Sequence, residues 1–187
     1  RASAFVFFLT LLLAAMPAPA QPAGASLDAI SADFWSNLAD PACGKAPRRW
    51  RAHYGDVPRR LRNPREQQLR AHFAEVIAAL HDAGLPSEFA LIPFVESRYH
   101  ADARSHRGPA GLWQFTAATA RRHGMRVQGQ VDERLSVVAS TEAAVRYLSR
   151  LHRMFGRDWR QTVMAYNAGE GALRASRRKG SPRLSGI

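Results

Sequence analysis

The chain has 187 residues, 46% of them apolar, with 27 Lys and Arg against 15 Asp and Glu, for a net charge of +12. That length suits one domain burying its own core. The single cysteine excludes an intrachain disulfide, and seven scattered histidines with no H-E-x-x-H or C-x-x-C spacing support neither a metal nor any other cofactor, so none is expected.

Behind Arg1, the block Ala2 to Met16 is apolar and runs into Pro17-Ala18-Pro19-Ala20-Gln21, whose A-x-A ending resembles a secretory cleavage site. Residues 1–20 read as a signal peptide, because the block is shorter than the roughly 20 residues a spanning helix needs. The chain is therefore expected to be exported, to the periplasm or cell envelope. Losing that segment removes only Arg1 and leaves a charge of about +11. Such a surface attracts polyanions. Export sets nucleic acid aside and leaves peripheral association with the membrane or the wall, with plain solvation of a helical surface as the equal alternative. Cys43 lies far beyond the apolar block, after Asp40-Pro41-Ala42, and reads as an incidental thiol.

Residues 21–62 form an N-terminal arm: a short amphipathic stretch from Ile30 to Leu38, then a Pro- and Arg-rich segment from Pro41 to Arg62. Trp35, Trp50 and Tyr54 are the side chains expected to anchor it by packing. Asn63-Pro64-Arg65-Glu66 then supplies a cap, a proline at the first helical position and a capping-box glutamate. The helix it opens carries Leu69, Phe73, Val76, Ile77 and Leu80 on one face and ends at Gly84 and Pro86, with Glu75 and His81 off that face.

Between Leu85 and Ser97, Pro93 is expected to bend or break a helix, leaving Glu96 just beyond the kink. Residues three, four and seven before Glu96 are Pro93, Ile92 and Phe89, so its carboxyl projects from an apolar stripe. A carboxyl partly removed from water stays protonated to higher pH, as a general acid requires; the alternative is a solvated helix-boundary residue. Arg98 to Gly111 reads as an irregular loop and Leu112 to Arg122 as a helix stopped by Gly124. Asp132 and Glu133 open a longer, central helix striped by Leu135, Val138, Val145, Leu148, Leu151 and Phe155, and Gly156 closes it. Asp158 caps another helix bearing Val163 and Tyr166 toward Gly169, and the basic tail from Arg174 reads as loose. With no useful alternating strand and no internal repeat, the fold class is all-α.

Three stretches stand together: A-L-I-P-F-V-E-S at Ala90 to Ser97, G-L-W-Q-F at Gly111 to Phe115, and A-Y-N-A-G-E-G at Ala165 to Gly171. In that order and spacing they resemble the family-one lytic transglycosylases of bacterial cell-wall turnover, most of all the membrane-bound murein D type, over about Phe34 to Ala175. The resemblance implies a lysozyme-like SLT domain at 63–187, lacking its C-terminal part, with peptidoglycan glycan strands as partner and no nucleic acid. It implies Glu96 as the catalytic acid and Ser105, Gln114, Tyr166 and Asn167 as substrate-binding positions. The implied reaction cleaves the bond between N-acetylmuramic acid and N-acetylglucosamine without water and leaves a 1,6-anhydromuramyl end. One residue then serves as acid and base, and Asp102, the nearest acidic neighbour in sequence, reads as a solvated loop residue. The alternatives are a hydrolytic muramidase on the same fold and a non-catalytic peptidoglycan-binding scaffold.

Overall fold

A computed structural model describes residues 26–41 and 55–178, and among these four of the eight α-helices begin where a side chain takes a first free N–H group. The helices are α1 (Leu27–Ser36), α2 (Val57–Arg62), α3 (Gln67–Asp82), α4 (Ile92–Glu96), α5 (Ala117–Arg122), α6 (Val137–Met154), α7 (Trp159–Ala168) and α8 (Glu170–Arg178). Two-residue strands β1 (Val127–Gln128) and β2 (Val131–Asp132) pair antiparallel, Val127 opposite Asp132. The mainly helical class expected from the sequence is the one observed. Ser26, Thr116, Ser136 and Asp158 each accept a backbone N–H at the start of α1, α5, α6 and α7. The 1–20 segment, Cys43, Trp50 and Tyr54 lie outside the described residues. Among those described, no helix is long and apolar enough to cross a membrane.

The apolar face of α3 is buried as its spacing predicts: Leu69, Phe73, Val76, Ile77 and Leu80 all enter the core. Asn63 caps a 3-10 turn, Pro64–Glu66, that leads into α3. Against α3 pack α6 and the arm helix α1, the latter through Ile30 and Phe34, whose ring lies 5.8 Å from that of Phe73. Trp35 is 65% exposed, and its ring contact among the described residues is a T-shaped one with Phe34 at 5.6 Å, so it is not buried as an anchor there. The end of α1 is held by backbone chemistry. Asn37 Nδ2 donates to Leu85 O, and the buried Glu88 carboxylate accepts the N–H groups of Ala39 and Asp40, both at 3.1 Å.

Five other expectations need correction. Pro93 breaks no long helix; a 3-10 turn, Ser87–Leu91, precedes it, and Pro93 sits in the first turn of the new helix α4, where its missing N–H costs nothing. Leu112 to Arg122 is helical only from Ala117, because Gly111 and Gln114 take positive φ and Phe115 bridges Ala110. Asp132 and Glu133 do not open α6, since their carboxylates hold Arg134 and Arg126; Ser136 caps it instead. Val138 is 58% exposed, and the buried seam of α6 runs through Ser140, Thr141, Ala143, Ala144, Leu148 and Leu151. Finally, residues 174–178 are helical, as the last turns of α8.

Candidate active site

Glu96 is the last residue of α4, a helix whose Ile92, Pro93 and Phe94 are buried. The helix stops there because Arg98 and Tyr99 adopt φ of 54° and 66°, a region unfavourable to non-glycine residues. Surrounding contacts offset that strain. Ser97 Oγ donates to Leu112 O at 2.8 Å and lies 3.2 Å from Pro93 O. The buried Tyr99 hydroxyl donates to Ala90 O at 2.7 Å, and its ring packs 4.5 Å from Phe94. Glu96 itself is half-buried, and that burial raises its carboxyl above the ordinary value, with no charge among the described residues contributing.

Joined to this helix end through the Ser97–Leu112 hydrogen bond is the segment from Ala103 to Phe115, folded back on itself by bridges between Arg104 and Ala110 and between Ala110 and Phe115. Gly111, at φ 79°, lies so close to the next element that a Cβ there would stand 1.7 Å from Arg134 O. Gln114 takes φ 48° and donates Nε2 to Gly111 O at 2.8 Å, which closes the turn. Two anchors fix the segment from behind. Trp113 is fully buried, with Nε1 donating to Thr141 Oγ1 on α6 at 3.1 Å. Arg134, also buried, donates Nη1 to Gly108 O and Phe115 O while Nε and Nη2 grip Asp132 at 2.8 and 2.9 Å.

Removing one partner of a buried, hydrogen-bonded charge pair leaves the others unpaired, at a cost of about 3–5 kcal/mol. Arg134→Met should therefore lower the free energy of unfolding in urea by about that amount. A loss below about 1 kcal/mol would show the network to be dispensable.

Helix α7 closes the third side. Tyr166 donates its hydroxyl to Trp113 O at 2.7 Å, and its ring lies 5.6 Å from Tyr147 and 6.2 Å from Phe115. Burial, and after it the nearby Glu96 carboxylate, push its phenol well above the ordinary range, so it stays a neutral donor. The structure thus brings Glu96, Tyr166 and the Gly111 to Phe115 turn together. Gln114 borders this site, but its amide N–H groups are spent on the turn. Ser105 is exposed in the loop, where its Oγ accepts from Arg107 N at 3.3 Å, and Asn167 is exposed near the end of α7; no described contact joins either to Glu96. Asp102 is exposed, as expected of a loop residue.

The transglycosylase SLT domain model matches residues 75–183, which include Glu96, the folded-back segment and α7. This chain belongs to the SLT transglycosylase domain family. It is 44% identical to membrane-bound lytic murein transglycosylase D of Escherichia coli (strain K12) over 89 residues, 48% of this chain and 20% of that protein. It is 39% identical over 98 residues to a protein of Alteromonas sp. (strain M-1) named for tributyltin chloride resistance, covering 52% of this chain and 47% of that one. Peptidoglycan transglycosylase gp16 of Escherichia phage T7 is 39% identical over 94 residues, half of this chain and 7% of its own. The chain spans less than half the length of each of these relatives.

Sequence reasoning on this SLT domain missed Arg134 and Thr141. The only signal for Arg134 was the D-E-R run at 132–134, which gives no sign that the arginine turns inward onto two loop carbonyls. Thr141 lay in a helix judged by its large apolar residues alone.

Proposed function

We propose that this SLT domain is a lytic murein transglycosylase that cleaves the bond between N-acetylmuramic acid and N-acetylglucosamine in exported cell-wall turnover. The observation that carries the reading is one half-buried carboxyl, Glu96, raised by burial alone and set beside the neutral Tyr166. Protonated Glu96 gives its proton to the glycosidic oxygen as the bond to the muramyl anomeric carbon breaks. The resulting carboxylate takes the proton of the muramyl C6 hydroxyl, whose oxygen closes on that carbon, and a 1,6-anhydromuramyl end forms. No water is consumed, so the second carboxylate of most glycosidases has no task. Ser105, Gln114, Tyr166 and Asn167 are proposed to hold the acetamido groups, with Tyr166 also fixing the wall of the cleft. The names of the relatives agree with peptidoglycan as substrate.

The acid must carry its proton when substrate arrives. With the Glu96 pKa raised, kcat/KM should hold through pH values at which an ordinary carboxylic acid is already ionised, then fall tenfold per pH unit on the alkaline side. Release of soluble muropeptides from purified sacculi between pH 4 and 9 tests this. A rate that does not fall with rising pH would remove Glu96 as the acid.

Tyr166→Phe keeps the ring but deletes the hydrogen bond to Trp113 O, leaving a carbonyl unsatisfied at a cost of about 1–3 kcal/mol. It should lower stability by that amount and slow turnover through a looser cleft wall. Unchanged unfolding would show the bond to be immaterial.

A further inference from the structure

The Tyr147 ring lies 5.6 Å from that of Tyr166, and the His123 imidazole lies 4.6 Å from Tyr147. There the aromatic path opens into a recess of about 750 Å³ between the end of α5, one face of α6 and the start of α8. Its charge is one-sided. Arg122, Arg146, Arg150 and Arg153 line it, against the single carboxylate of Glu170. Arg150 pairs with Glu170 and stands over the Tyr147 ring, and Arg146 donates to His123 O at 2.8 Å. Arg122 and Arg153 are exposed and make no ion pair among the described residues. Burial first, and then the charges of Arg150, Arg146 and Arg122, hold the His123 imidazole below its ordinary value, so it stands in the recess as a neutral ring.

Spare positive charge at the end of an aromatic cleft wall suits a substrate that is neutral along its sugars and anionic beside them. Peptidoglycan has that form, since its peptide substituents carry free carboxylates. We propose that the arginine recess binds the carboxylates of the peptides borne by the glycan strand, so that Arg122 and Arg153 set a preference for peptide-substituted over bare strands. This rests on the function proposed above. Arg122 and Arg153 supply the unpaired charge, while Arg146 and Arg150 shape the floor. Charged contacts at exposed positions are individually weak, so together the two free arginines should contribute about threefold to tenfold in affinity, lost in molar salt.

Equilibrium binding to the inactive Glu96→Gln protein tests the proposal with three soluble strands: peptide-bearing, peptide-bearing with its carboxyls amidated, and amidase-stripped. The peptide-bearing strand should bind about threefold to tenfold tighter than the other two at low salt. Adding Arg122→Gln and Arg153→Gln should bring that ratio close to one, with an unchanged thermal melt. Equal binding of all three strands overturns the recess while leaving glycan recognition intact. So does a preference that survives amidation or the double substitution. Binding of none of the strands overturns the recess and the proposed function together.

Discussion

Glu96→Gln should cut the release of soluble muropeptides by roughly 10²- to 10⁴-fold, the usual contribution of a general acid, and raise the melting temperature at neutral pH. The two effects have one cause. Burial disfavours the carboxylate, so the folded protein holds a proton that the unfolded chain, near the ordinary value of 4.5, has already released. Below that value Glu96 is neutral in both states and the penalty is absent. As pH rises through the raised folded value the penalty grows, and above it the penalty is fully present. Gln never ionises. Its advantage should therefore be clear at pH 8 and shrink toward pH 4, as paired thermal melts would show. A variant less stable than its parent at both pH values would mean that the carboxylate makes stabilising contacts, contrary to a site held ready for catalysis.

Gly111→Ala should leave little folded protein. The new Cβ would meet the Arg134 carbonyl oxygen at 1.7 Å and its carbon at 2.6 Å, and both belong to backbone that cannot rotate away. The φ of 79° adds the cost of a left-handed conformation, about 1–2 kcal/mol. With the overpacking, a loss of about 4 kcal/mol or more is expected, a large fraction of the 5–15 kcal/mol typical of a domain. Gly108→Ala is the control. Gly108 has φ 99° but open space around it, so only the backbone cost of about 1–3 kcal/mol applies. Urea unfolding separates the two, and equal losses would show that conformation rather than contact with Arg134 makes Gly111 necessary.

What could be read in the sequence follows how locally each feature is determined. The face of α3 depends on spacing alone, and every residue assigned to it is buried. Glu96 was legible for the same reason: its apolar neighbours at three, four and seven residues back are all buried, and burial is what raises it. The seam of α6 was not. Small residues, Ser140, Ala143 and Ala144, let the helix approach its neighbours, while Thr141 is buried to receive the indole of Trp113, a partner 28 residues away. The turn at Gly111 to Phe115 likewise owes its shape to Arg134, whose role appears only once Asp132, Gly108 and Phe115 are in place around it. Helical character was assigned to Leu112 because that distant constraint leaves no periodic trace. Trp35 shows the converse error, since size made it the expected anchor while the smaller Ile30 is buried and Phe34 partly buried against the core.

In the proposed reaction Glu96 serves first as acid and then as base, with no water consumed. Mass spectrometry of the soluble products from purified peptidoglycan tests it most directly. Muropeptides lighter by one water than their reducing counterparts are expected from the earliest time points, with release from Glu96→Gln lower by roughly 10²- to 10⁴-fold. Reducing muramic acid ends as the first products would contradict it and make this SLT domain a hydrolase.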